Sequence, residues 1–180
     1  SRQSRGLGDV YKRQVLRFGS VSIYRKVLIQ FFSSNLNIMK ILHYTGAYAP
    51  AWKVGGPVRS VSQICEGLAA RGHEVTVLTT NVELESDPMI IPDQVTDRNG
   101  VAVTYFQAER NWTGVRSSGL ETAVRERINE FDIVHVTGVW QPTSMAACRA
   151  AESAVVPYVV SPRGALGDYS WTQKRWKKYP

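Results

Sequence analysis

The sequence predicts an α/β fold: a doubly wound, mostly parallel sheet with helices on both faces. Three observations lead there. Five short runs rich in β-branched and aromatic residues recur along the chain, at 41–44, 73–80, 101–106, 132–138 and 158–161. Stretches with helical spacing fall between most of them, and strands alternating with helices imply parallel pairing. The glycines and unusual polar residues follow the strands at their carboxyl ends, where such sheets bind ligands.

The first unit organises the rest. Ile41-Leu42-His43-Tyr44 is apolar and aromatic, as a buried strand requires. A loop from Thr45 to Gly56 follows, and Pro57 opens a helix. Proline suits a first helical position because it has no N–H to leave unpaired. Val58, Val61, Ile64, Cys65 and Leu68 share one helical stripe, and Gly72 is expected to end the helix as a left-handed cap. Glycine backbone at a helix N-terminus is where an anion binds well. Gly55-Gly56 alone is equally consistent with a tight turn feeding a helix. Neither GxGxxG nor GxxxxGK[ST] is present. The loop exceeds the roughly 2–6 residues usual between a strand and its helix, which favours a site-lining role.

The remaining elements follow in order. Residues 73–80 read as the second strand, and 81–100 as polar loop closed by the turn Asn99-Gly100. Residues 101–106 read as the third strand and 109–117 as loop. Asn111-Trp112-Thr113 matches a glycosylation sequon, read as chance because no secretory signal accompanies it. Ser118 to Glu121 has a capping-box pattern, opening a helix with Leu120, Val124, Ile128 and Phe131 on one face. Residues 132–138 form the fourth strand. Pro142 and Thr143 open a small-residue helix to Ala154, residues 158–161 form the fifth strand, and Pro162-Arg163-Gly164 break it.

Length and charge narrow the class. At 180 residues the chain is about one domain on the usual scale of roughly 100–200 residues. The net charge of +7 is unevenly placed. Residues 1–38 hold seven Lys or Arg and one Asp, whereas 39–180 hold 15 basic and 14 acidic side chains. The domain is therefore near neutral, carries no recognition motif, and is not expected to bind nucleic acid. Residues 1–38 are expected to be a disordered or non-native extension, with Met39 the true start. The first fourteen, ending GLGDVYKRQ, resemble translated sequencing-adapter sequence. Val27 to Phe32 is too short to span a bilayer. Cys65 and Cys148 read as buried thiols in a reducing, cytoplasmic compartment. His43, His73 and His135 are scattered, so no metal cluster is expected. In the tail, Lys174, Arg175, Lys177 and Lys178 form a solvated helix face. With Trp171 and Trp176 they are alternatively a patch for peripheral membrane contact.

Four stretches together resemble the N-terminal domain of a GT-B glycosyltransferase of the retaining family numbered four. They are MKILHYTGAYAPAWKVGGP with its helix, GLAARGHEVTVLTT, DIVHVTGVWQP, and YVVSPRGAL before an aromatic-basic segment. The resemblance covers nearly all of residues 39–178. It implies a Rossmann-like domain on the acceptor side of a two-domain enzyme. A C-terminal donor domain, which this chain lacks, would hold most of a nucleotide-sugar, so the chain alone is expected to be inactive. The reaction would move a hexose-type sugar to a glycan or lipid-linked acceptor in polysaccharide biosynthesis. With a lipid-linked acceptor the enzyme would work at the inner face of the cell membrane. No cofactor or metal is implied.

Gly55 and Gly56 match the loop that approaches the donor diphosphate. Absent Cβ atoms let backbone N–H groups reach phosphate oxygens and neutralise charge on the leaving group. Thr45, Tyr48, Trp52, Gly138, Trp140 and Gly164 are the expected acceptor-side residues. Relatives commonly read His-x-His-Gly at the fourth strand end, with the second histidine in the cleft. Here Thr137 stands there, and His135 is read as a core histidine. Thr137 and Arg163 are the expected catalytic residues; Arg163 suits an anion by its fixed charge and planar fork, and otherwise pairs locally at the surface. Two other readings stay open: a nucleotide-sugar epimerase on a related fold, or a non-catalytic module binding nucleotide or polyanion.

Overall fold

The computed structural model describes residues 38–111, 114–139 and 141–166. The sequence readings at residues 1–37, Trp112-Thr113, Trp140 and 167–180 lie outside them. The main sheet contains β1 (Lys40–Tyr44), β2 (Glu74–Thr80), β3 (Val95–Arg98), β4 (Val101–Phe106), β7 (Ile133–Thr137) and β8 (Tyr158–Ser161). Their order is β3-β4-β2-β1-β7-β8. All pairs are parallel except β3 with β4. Strands β5 (Glu109–Asn111) and β6 (Gly114–Arg116) form a separate antiparallel pair. The order reverses at β1, whose two neighbours are β2 and β7. That places the crevice of a doubly wound sheet at the carboxyl ends of β1 and β7.

Alternation along the strands distributes the core over both faces. Helix α1 (Gly56–Ala69) packs Val58, Val61 and Cys65 against Val77, Val103 and Tyr105. On the other face, α2 (Ser118–Arg127) and α3 (Pro142–Ala154) cover Leu42, Tyr44, Leu78, Val134 and Val136. Leu120, Val124, Ile128 and Phe131 are all buried, as their spacing predicts. Ile64 departs from the expected α1 stripe: it is exposed, and Ser62 is buried in that helix instead. The Ser62 hydroxyl is accommodated there because it donates to the Val58 carbonyl at 2.9 Å.

Three local readings are corrected. The segment 81–100 is not all loop, because β3 lies in it. Asn99 and Gly100 have φ of 55° and 80°, the left-handed pair of a tight hairpin turn. The strand before that turn, Val-Thr-Asp-Arg, is a charged, half-exposed edge and carries little apolar signal. The loop read at 109–117 contains β5 and β6, which are too short for a periodic pattern. Helix α2 is capped by Ser117, not Ser118. Ser117 Oγ accepts from the Leu120 N–H at 3.3 Å, while the Ser118 hydroxyl donates to Glu109 at 2.6 Å. Ser117→Ala is therefore expected to cost about 1 kcal/mol in urea unfolding, as loss of a helix cap does. A larger loss for Ser118→Ala than for Ser117→Ala would contradict this assignment.

Candidate functional site

Strands β1, β7 and β8 are adjacent and parallel, so their carboxyl ends share one rim. The last residue of β7 is Thr137, and Gly138 turns the chain away with φ of +93°. The Gly138 N–H donates to the Ser161 carbonyl at 2.9 Å and carries the β7–β8 pairing past the strand end. After β8, Arg163 adopts a left-handed φ of 48° and Gly164 one of 81°. Arg163 Nη1 donates to Ser60 Oγ at 3.2 Å. Ser60 lies near the start of α1, so this bond brings the β8 loop to the glycine-led end of that helix.

Gly55 is the N-cap of α1, with φ 119° and ψ −162°. That backbone region belongs essentially to glycine. The first-turn N–H groups of a helix lack partners within it and attract negative charge. Arg163 adds a cation in the same neighbourhood. Its Nε and Nη2 are buried without hydrogen-bond partners among the described residues. Buried donors without acceptors are costly, and an anion would supply the missing acceptors. Gly55→Ala is expected to destabilise the fold by about 1–3 kcal/mol through backbone strain. It is also expected to weaken pyrophosphate binding by isothermal calorimetry. Unchanged stability and affinity would show that this backbone is not required.

A polar strip, buried at His43 and Thr137 and half-buried at His135 and Ser161, runs behind the rim on the α1 face of the sheet. His43 and His135 are cross-strand partners, with ring centroids 4.3 Å apart. His43 Nε2 lies 3.0 Å from Thr137 Oγ1, and His135 Nε2 lies 2.6 Å from Ser161 Oγ. Burial lowers the His43 pKa well below its ordinary value, and His135 and Arg163 act the same way. Burial, then Arg163, lowers His135 to about 4. Both rings are therefore neutral at pH 7. His135 is half-buried and is held by Ser161 within the sheet.

The expected residues divide. Gly55, Gly56, Thr137, Gly138, Arg163 and Gly164 all lie at the carboxyl rim or at the α1 N-terminus. Trp52 is 46% exposed, with the Arg59 guanidinium 5.8 Å from its ring centroid. Tyr48 does not face a ligand. It is fully buried in the core beneath α1 with Val58, Val61 and Cys65. The long loop folds inward at Ala47-Tyr48-Ala49, because its apolar residues complete the α1-side core. Thr45 is buried too, and its hydroxyl donates to the Ala47 carbonyl at 3.1 Å, so it braces this loop. Sequence reasoning missed His43, Ser60 and Gln141. The Gln141 side chain lies across Gly46, where an added Cβ would fall 2.6 Å from Oε1. The detectable signal was the glycine following each of two neighbouring strands.

Among the described residues, no group of three or more His, Cys, Asp or Glu could hold a metal ion. Among them no helix is long and apolar enough to cross a membrane.

No curated protein matches the chain. Among solved structures, the C-terminal domain of a hydrogenase from Pyrococcus furiosus is similar at 16% identity. That match has a TM-score of 0.40 and covers 71% of this chain and 93% of the other. So distant a likeness has no bearing on function. A family model described as a glycosyl transferase 4-like domain matches residues 55–179, from the α1 glycine pair through the β8 loop and beyond. The mostly parallel sheet, wound on both faces around a glycine-led helix, is the architecture that family calls for, and the chain belongs to the glycosyl transferase 4-like domain family.

Proposed function

We propose that residues 39–180 form the acceptor-side half of a retaining GT-B hexosyltransferase. It takes a sugar from a nucleotide-sugar and passes it to a glycan or lipid-linked acceptor. Labour is divided between two domains. This one holds the acceptor and touches the donor diphosphate at Gly55, Gly56 and Arg163, while a second domain holds most of the nucleotide. Backbone N–H groups and one guanidinium meet the diphosphate charge, so no metal is invoked. Trp52 offers the exposed aromatic face on which a sugar ring can stack. A lipid-linked acceptor would bring the domain to the cytoplasmic face of a membrane.

The observation that carries this reading is the bond from Arg163 to Ser60, which sets a cation with two unpaired buried donors beside the α1 N-terminus. Saturation-transfer NMR of the full chain with UDP-glucose and GDP-mannose tests it. The expected result is binding through the diphosphate without sugar release. Steady sugar release by this chain alone would contradict the division of labour. Binding that disappears in Gly55→Ala but persists in Arg163→Met would remove Arg163 from the site.

A further inference from the structure

We propose that His43 is a positioning residue that makes Thr137 an oriented hydrogen-bond donor at the rim. This follows from where the hydrogens can sit along one buried pair, and it rests on the reading of this rim as the ligand site. His43 is completely buried, and its Nε2 meets Thr137 Oγ1 at 3.0 Å. Its Nδ1 is buried with no partner among the described residues. A neutral imidazole carries one N–H and one bare nitrogen, so only two arrangements exist.

In the first arrangement the proton sits on Nδ1. Nε2 then accepts from the Thr137 hydroxyl, and an N–H is left in the core facing no acceptor. In the second the proton sits on Nε2 and is donated to Thr137 Oγ1. The Thr137 hydroxyl hydrogen is then the one that needs a partner. Each arrangement leaves one donor open, and they differ in where it lies; the second also leaves Nδ1 as a bare acceptor, an omission that buried groups tolerate more readily than an orphaned N–H. An open N–H at His43 is fully buried, whereas Thr137, though itself largely buried, keeps 6% exposure at the last residue of β7, next to the half-buried Gly138. A buried donor without an acceptor is the more costly of the two, since a ligand or water can reach only the rim. The second arrangement is therefore the stable one.

The consequence is chemical selectivity at Thr137. His43 takes one of its oxygen's two lone pairs and leaves the hydroxyl hydrogen unpaired, so it meets a ligand first as a donor. It is best matched to a phosphate, carboxylate or sugar-hydroxyl oxygen. His43 touches no ligand and acts through Thr137 alone. Burial first, then the neighbouring His135 and the positive Arg163, disfavour protonation of His43, which keeps the single-proton ring on which this orientation depends.

Two measurements on the full chain test this. Long-range proton–nitrogen correlation of the imidazoles, with His73→Gln and His135→Asn used for assignment, reads the His43 tautomer in the unmodified protein. Protonation at Nε2 between pH 6 and 8 is expected. Protonation at Nδ1, or at both nitrogens, overturns the proposal without any variant of His43 needing to fold. The second measurement is pyrophosphate affinity in a double-mutant cycle. Thr137→Val is expected to weaken binding about 5–10-fold, a typical single hydrogen bond. His43→Phe is expected to do the same, the pair together no more than either alone, and His43→Gln to stay within about two-fold of the parent because its amide can still donate. Additive losses, or a loss for His43→Phe with none for Thr137→Val, overturn it. If the unmodified protein binds no pyrophosphate, the anion reading of the rim fails, and the tautomer then decides the positioning claim separately.

Discussion

Replacing Arg163 with methionine is expected to weaken pyrophosphate binding about 10–100-fold while leaving the melting temperature unchanged or raised. The two effects have separate causes. Charge-assisted hydrogen bonds contribute about 1.5–3 kcal/mol each, and an anion at the α1 N-terminus would take at least one from the guanidinium. In the unliganded protein the balance differs. The substitution gives up one bond, Nη1 to Ser60 Oγ, but removes two buried donors that have no acceptor among the described residues. Each such donor costs about 1–3 kcal/mol, so stability should not fall. An arginine that merely pairs locally at the surface predicts the reverse, with lower Tm and unchanged affinity. Calorimetry with pyrophosphate and a thermal melt on the same samples separate the two.

Acid sensitivity above the range of ordinary carboxylates is the second large effect. His135 has a folded pKa of about 4 against an ordinary value of 6.5, and His43 is displaced in the same direction. The unfolded chain therefore binds more protons than the folded one as pH drops below 6.5. Stability is complete above that value and is lost as the pH falls toward 4. At about 1.36 kcal/mol per unit, His135 alone accounts for a loss of about 2 kcal/mol between pH 7.5 and 5. Carboxylates ordinarily titrate at about pH 4, below this interval, and Glu85 and Glu109 are held lower still. Urea midpoints across this interval should fall, and His135→Asn should flatten the trend. Arg163→Met should flatten it partly, since the guanidinium charge is the second cause of the His135 shift. A midpoint constant from pH 7.5 to 5 in the unmodified protein would contradict the neutral histidine pair.

Arg163 and the two paired histidines differ in how legible they are in the sequence. Arg163 stands out because Pro162 and Gly164 mark a strand end and a cation there is unusual. Its partner Ser60 does not, since nothing local to α1 reports which loop packs on it. His43 is hidden within an apolar run, and only the register of β1 with β7 puts it beside His135 and Thr137. Tyr48 departs from its expected place for a related reason. A long loop after a parallel strand commonly lines a site, but this one carries Ala47, Tyr48, Ala49 and Ala51, and the core beneath α1 takes them in. The legible strands, β1, β2, β4, β7 and β8, are those built from β-branched and aromatic residues, most of them buried. Strand β3 is not legible, because a charged edge strand has no apolar face to reveal its period. The glycine pair shows what sequence alone leaves open. Its composition fits a plain turn as well as an anion site, and the distinguishing facts are the φ of Gly55 and the arrival of Arg163 from 103 positions away from Ser60.

The glycine-led end of α1 and the β8 loop are proposed to make one anion-binding rim. The most direct test is an amide-resolved NMR titration of the full chain with UDP, including the Arg163 side-chain Nε–H. Saturable shifts concentrated at Gly55, Gly56, Val58, Gly138 and Arg163 Nε are predicted. The absence of shifts at saturating UDP, or shifts confined to the α2–α3 face of the sheet, would contradict a rim of this kind.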